Sequence, residues 1–201
     1  MTRPRLAILL SGRGSNFLAL HRAVDSGDIE ADIALVLSNI DGAPGLDKAR
    51  DLGLPVRSLP HRGMKRAKHE ELVLEVLREA DVDWLCLAGY LRLLGPGFVN
   101  AYRHRIVNIH PSLLPAFPGL DAQGQAFEYG VKVSGCTVHL VDDGMDTGPI
   151  VMQEAVSADG VTSAGELSAR ILEAEHRLYP AALARLLSES WRVEGRRVLF
   201  D

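Results

Sequence analysis

The segment Ile106-Val107-Asn108-Ile109-His110 sets two polar side chains into an otherwise apolar run, and these are the first residues to examine for chemistry. If the segment is a strand, period-two alternation puts Asn108 and His110 on one face, roughly 7 Å apart at their backbones, so their side chains converge on one small group. The Asn amide donates a hydrogen bond to an oxygen gaining negative charge, and His donates likewise or shuttles protons, a pairing that suits acyl transfer. A satisfied buried Asn and a His at a strand end would account for the same pair. A carboxylate follows in Gly144-Met145-Asp146-Thr147-Gly148-Pro149. Held in a loop beside apolar strands, Asp146 can act as acid or base; a turn-forming Asp between glycines is the alternative.

A second constellation stands near the start. Ser11-Gly12-Arg13-Gly14-Ser15-Asn16 directly follows an apolar run, and Phe17, Leu20 and Val24 then open a helical pattern. Glycines let the backbone approach an anion, and the free N–H groups of a helix start hold it. Phe17 occupies the position of a third dinucleotide-loop glycine, and the second strand ends in Ser38-Asn39 with no ribose-binding acid, so the loop suits one phosphate rather than a dinucleotide. A tight turn with a serine cap fits the loop taken alone.

The elements that must carry these residues are legible as short apolar runs at residues 6–10, 33–37, 84–87 and 106–109. Continuous apolarity over four or five residues predicts strands covered on both faces. Between them lie helical patterns such as Leu72, Val73, Val76, Leu77 and Ala80, opposed by Glu70, Glu71, Glu75 and Arg78. Strand and helix in alternation predict an α/β fold, a doubly wound, mainly parallel sheet with helices on both faces and functional loops at the strands' carboxyl ends. After Ile109, the alternation Cys136-Thr137-Val138-His139-Leu140 and the apolar residues 150–152 predict smaller strands at the sheet edge. A long helix is expected from Ser163, with Ser163 and Glu166 at capping-box spacing and an inner stripe of Leu167, Ile171, Ala174 and Leu178. Glu175 falls at the border of that stripe and His176 well away from it. Glu194-Gly195 predicts the turn of a terminal hairpin. Residues 116–132, rich in glycine, are expected to form a mobile flap with only a short helix over 125–129.

Composition narrows the partners. With 201 residues, 47% hydrophobic and 24% charged, a single domain over residues 1–201 is expected. A formal net charge of -4 argues against nucleic-acid or membrane-surface binding, since both favour a basic face. No segment reaches membrane-spanning length, and the apolar run at 6–10 is too short for a signal peptide. Cys86 and Cys136 lack the close spacing of a zinc or redox pair and are read as buried, reduced thiols of a cytoplasmic protein. The seven histidines form no ligand-like cluster with Cys or Asp, so no metal is expected.

Taken together, Asn108-Ile109-His110-Pro111-Ser112-Leu113-Leu114-Pro115, Pro118-Gly119, Gln125-Ala126 and Asp146-Thr147-Gly148-Pro149 resemble the folate-dependent formyltransferase family. Ser11–Asn16, Ser38-Asn39, Ala88-Gly89-Tyr90-Leu91-Arg92 and Glu175-His176 extend the resemblance from residue 6 to about 180, toward the branch that formylates glycinamide ribonucleotide. The resemblance implies a Rossmann-like formyltransferase fold and 10-formyltetrahydrofolate as co-substrate, acting in purine biosynthesis as a monomer or homodimer. It implies Asn108, His110 and Asp146 as the catalytic trio, the first two stabilising the oxyanion and Asp146 moving a proton. It further implies Gly12, Arg13, Gly14, Ser15 and Asn16 at the substrate phosphate, with Arg66 a second contact. Glu175 would meet the glycinamide amine, and Arg92, Leu93 and Leu94, with Asn108, the folate; His139 matches the pattern, its role structural. Asp121 and Gln123 depart from it, standing where related bacterial sequences place one or two histidines. A transfer enzyme acting on tRNA would carry a further carboxyl-terminal domain and a formyltetrahydrofolate hydrolase an amino-terminal one, neither expected here. A non-catalytic phosphosugar-binding module is the third alternative.

Overall fold

The computed structural model describes residues 2–201, which form two compact units, one through Val107 and one over Asn108–Asp201. In the first unit, β1 (Arg5–Leu10), β2 (Asp32–Ser38), β3 (Val56–Ser58) and β4 (Trp84–Leu87) lie side by side in the order β3-β2-β1-β4, all pairings parallel. Leu6, Ala7, Ile8, Leu9 and Leu10 are wholly buried, as their continuous apolarity requires. Burying each large one contributes about 1.5–3 kcal/mol over leaving it exposed. Because β1 pairs with β2 on one side and β4 on the other, the chain reverses its winding there, the place where open α/β sheets part their loops around ligands. Three helices link these strands, α1 (Ser15–Asp25), α2 (Pro44–Asp51) and α3 (Arg66–Glu79), and α4 (Pro96–Ala101) follows β4.

The α3 stripe is narrower than the sequence expectation and gains a histidine. Its fully buried residues are His69, Val73 and Leu77, whereas Leu72, Val76 and Ala80 are half-buried. His69 is tolerated inside because its Nε2–H donates to the Leu59 carbonyl at 2.8 Å. The strand β5 (Ile106–His110) leads from the first unit into the second.

The second unit contains α5 (Ala122–Tyr129), β6 (Val133–Leu140), β7 (Ile150–Ser157), α6 (Ala164–Ser188), and the hairpin of β8 (Trp191–Glu194) and β9 (Arg197–Phe200). β6 and β7 are antiparallel, as are β8 and β9, while β7 meets β9 in parallel. The expectation of small edge strands is corrected here. β6 runs eight residues, is buried from Ser134 through Leu140, and leaves the edge to β8. The alternation misled because Thr137 and His139, polar by type, are both inside.

α6 starts as its capping box predicts, with the Ser163 hydroxyl accepting from Glu166 N at 3.2 Å, worth about 1 kcal/mol. The reciprocal bond goes one residue further back, the Glu166 carboxylate accepting from Thr162 N at 2.9 Å. The stripe Leu167, Ile171, Ala174 and Leu178 is buried against β6, β7 and α5, and Glu175 joins it, buried outright rather than at its border. Both cysteines are buried thiols.

Candidate active site

Asn108, His110, His139 and Asp146 come together in the second unit. The Nδ1–H of His139 donates to Leu140 O at 3.0 Å, and burial holds the His139 pKa below its ordinary value, so the ring is neutral and its Nε2 carries a lone pair. That lone pair takes a hydrogen bond from Asn108 Nδ2 at 3.1 Å. His139 thereby sets which way the Asn108 amide faces and leaves one of its two N–H hydrogens for another acceptor. The sequence shows His139 as a polar member of an alternating strand that matches the family pattern; its orienting role emerges from the contact.

His110 is constrained at both ring nitrogens. Nε2 lies 2.9 Å from Phe117 O, and since a carbonyl only accepts, Nε2 carries a hydrogen. Nδ1 therefore faces Asp146 Oδ2 at 3.5 Å, longer than a formed hydrogen bond. The geometry thus sets His110 Nδ1 beside the Asp146 carboxylate, with the ring pinned from behind by Phe117.

Asp146 is placed by its loop. Its backbone has a positive φ of 55°, a conformation Asp adopts more readily than most residues. The turn-forming role goes instead to Asp142, whose carboxylate accepts from Gly144 N at 3.1 Å and from the Thr147 hydroxyl at 2.7 Å. This leaves the Asp146 carboxylate to accept from Gly119 N at 2.8 Å and to stand 3.7 Å from His139 Nε2. A backbone N–H as partner has no sequence signature, which is why the link between residue 119 and Asp146 was not legible.

The flap is more structured than expected. α5 spans Ala122–Tyr129, adding about a turn to the helix anticipated over 125–129. Asp121, one of the two departures from the family pattern, caps it from a positive φ of 54°, accepting from Gly124 N at 3.3 Å. A side chain on Gly124 would collide with that cap, its Cβ 2.3 Å from the Asp121 carboxylate.

α6 supplies Glu175. On β6, burial first, then the Glu175 and Glu154 carboxylates, push the Cys136 thiol up to about 12. Glu154 is itself paired with Arg177.

In the first unit, the glycine loop fills the turn between β1 and α1. Gly14 has φ 71° and immediately precedes α1, and its Cβ would lie 3.0 Å from Gly45 Cα, so the position demands glycine twice over. Gly12 has open space beside it, while its carbonyl accepts from Gly45 N at 3.0 Å. Lys48 Nζ donates to Arg13 O at 2.8 Å, so α2, unread in the sequence, braces the loop from its last turn. Ser15 and Asn16 form the first turn of α1, Asn16 buried. Ser11 ties the loops after β1, β2 and β4 together. Its N–H donates to Gly89 O at 2.9 Å, its hydroxyl donates to Asn39 Oδ1 at 2.5 Å and accepts from Leu91 N at 2.8 Å.

Beyond that knot, Leu93 is 56% exposed while Arg92 and Leu94 are half-buried. The Glu70 carboxylate accepts from Gly95 N at 2.9 Å and lies 3.8 Å from Arg66 Nε, so Arg66 is attached to the end of this segment. Among the described residues, no group of three His, Cys, Asp or Glu side chains is arranged to hold a metal, and no helix is long and apolar enough to cross a membrane.

An oriented amide stands beside a histidine–carboxylate pair, and the family profile described as "Formyl transferase" matches residues 4–183. The chain belongs to the formyl transferase family. Phosphoribosylglycinamide formyltransferase of Bacillus subtilis is 41% identical over 191 residues, covering 94% of this chain and 98% of its own. The trifunctional purine biosynthetic protein adenosine-3 of Drosophila melanogaster is 47% identical over 92% of this chain, which spans only 14% of that relative. The crystal structure of glycinamide ribonucleotide transformylase 1 from Symbiobacterium toebii superposes with a TM-score of 0.95 at 42% identity, over 98% of this chain and 94% of that one. A formyltetrahydrofolate deformylase from Pseudomonas syringae is more distant, at 25% identity, TM-score 0.92, with 66% of its length covered. The fold is α/β with a mostly parallel central sheet, as in these formyltransferases.

Proposed function

We propose that this protein transfers the formyl group of 10-formyltetrahydrofolate to the amine of glycinamide ribonucleotide, a step of purine synthesis. The observation that carries the reading is the Asn108 amide, oriented by His139, beside the His110–Asp146 pair. The amine nitrogen attacks the formyl carbon, and the carbonyl electrons move onto its oxygen. Asn108 Nδ2–H, with the proton between His110 Nδ1 and Asp146, stabilises that oxygen. Asp146 relays the proton lost by the amine to the departing folate nitrogen as its bond to the formyl carbon breaks, so atoms and charge balance.

Gly12, Arg13, Gly14, Ser15 and Asn16 are assigned to the substrate phosphate through backbone N–H groups and the start of α1, and Arg66 offers a further positive charge to an anionic group. Glu175 is assigned to the amine. Arg92, Leu93 and Leu94, with Asn108, are assigned to the folate, exposed leucine on a loop suiting an apolar ring system. The protein is expected in the cytoplasm, consistent with two buried thiols.

The test is release of tetrahydrofolate from 10-formyltetrahydrofolate with and without glycinamide ribonucleotide. Turnover that needs the amine, with formyl recovered on it, is the expected result. Amine-independent release of formate would make the protein a hydrolase like its more distant neighbour, and no turnover at all would leave a binding module.

A further inference from the structure

His110 Nε2 is held by the carbonyl of Phe117, and Phe117 stands in an unusual place. Its backbone φ is 51°, in the left-handed region that a bulky side chain adopts only under constraint. What imposes the constraint is a set of side chains outside the trio. Ser112, wholly buried, donates its hydroxyl hydrogen to Ala116 O at 2.5 Å and lies 3.4 Å from Phe117 O. Thr137, also wholly buried on β6, donates to Ser112 O at 2.6 Å and accepts from Leu114 N at 3.0 Å. Gln153 of β7 donates to Thr137 Oγ1 at 3.0 Å and to Leu114 O at 2.9 Å. The Thr137 hydroxyl therefore uses its single hydrogen and both lone pairs.

We propose that Thr137, Ser112 and Gln153 are positioning residues for the transfer reaction: they fold residues 111–117 back so that Phe117 O fixes the hydrogen of His110 on Nε2 and turns Nδ1 toward Asp146. This rests on the reading that His110 serves formyl transfer, and it deepens that reading. Without the brace, the turn can relax to an ordinary φ at Phe117, the carbonyl leaves Nε2, and the ring is free to carry its hydrogen on either nitrogen. Nδ1 protonated in the neutral ring can no longer accept the proton that passes through Asp146.

Nitrogen NMR of labelled histidine reads the ring directly. In the unaltered protein, His110 Nε2 should stay protonated at every pH where the protein is folded. Thr137→Val should give a mixture of the two tautomers and lower kcat by about tenfold to a hundredfold, with KM for either substrate changed by less than about twofold. Thr137→Ser should restore both. Ser112→Ala should act in the same direction, and Gln153→Ala, on an exposed side of β7, should do so more weakly; these two supply the ring readout if Thr137→Val fails to fold. An unchanged His110 tautomer in the folded members of this set, or lost activity with an intact tautomer, overturns the proposal. If His110→Ala keeps full turnover, it is the role of His110 in transfer that fails, while the ring signals still decide whether the brace positions it.

Discussion

Asn108, His110 and Asp146 share one small volume but do different work, so their substitutions should fail differently. Asn108→Ala removes an oriented donor, which should cost about 3 kcal/mol, or roughly a hundredfold in kcat, with little change in substrate binding. Asp146→Asn keeps the shape and the bond from Gly119 N if its Oδ1 takes that place, yet it cannot accept a proton; kcat should fall and the acidic limb of the pH profile should flatten. Combining Asn108→Ala with His110→Ala should cost less than the sum of the single changes, because both groups serve one oxygen. Steady-state kinetics over pH on the four proteins checks this, and an unchanged profile in Asp146→Asn would remove Asp146 from proton transfer.

The glycine loop separates two requirements that its sequence could not. Gly14 is needed by the fold, through its positive φ and its approach to Gly45, so Gly14→Val should lower stability as well as weaken the phosphorylated substrate. Gly12 is the cleaner probe, since a methyl there meets open space in the protein. Gly12→Ala should leave the melting temperature nearly unchanged and raise the dissociation constant for glycinamide ribonucleotide far more than that for folate, read by calorimetric titration. Equal weakening of both ligands would assign the loop to the wrong substrate.

At the scale of elements, Asp121 has a local structural task of its own. As the cap of α5 in a left-handed conformation, it is irreplaceable by alanine on two counts. Asp121→Ala should cost about 1 kcal/mol for the cap, with the φ penalty in addition, while Asp121→Asn should lose little because Asn tolerates the conformation and still accepts. Amide exchange across Ala122–Tyr129 should quicken in the first variant and not in the second; unchanged exchange in Asp121→Ala would mean the cap is idle. Elements were legible where burial was continuous or a cap was local, as in β1, β2, β4 and the Ser163 start of α6. α2, α4 and β3 were not, because β3 has three residues and the two helices begin at Pro44 and Pro96 with too few apolar positions to show a period. For the site, residue types announced Asn108, His110 and Asp146. The groups that aim them did not show, because Phe117 O and Gly119 N are backbone atoms, and because Thr137 and His139 read as ordinary members of an alternating strand.

For the molecule as a whole, each unit encloses a histidine that is neutral when folded. Burial lowers the pKa of His69 most, with Arg92 and His61 opposing its charge and Leu59 O and Glu70 favouring it; burial likewise dominates His139, against Leu140 O, Asp146 and Asp142, with His110 adding to the lowering. On unfolding, both rings return to an ordinary value near 6.5 and take up protons as the pH falls below it. Their contribution to stability is therefore complete above that pH and declines as the pH drops from there toward the folded-state values, by up to about 1.4 kcal/mol per pH unit for each ring. The exposed carboxylates of Glu166 and Glu189, held low by hydrogen bonds from Thr162 and Arg185, lose their favourable contribution only at more acidic pH, so the two windows separate. Urea unfolding between pH 7 and pH 5 should show this decline. His69→Gln, which keeps a donor for Leu59 O but cannot take a proton, should reduce its slope by about one proton's worth. A stability that is flat from pH 7 to pH 5, or a slope that His69→Gln leaves untouched, would show that His69 protonates as readily inside the fold as outside it.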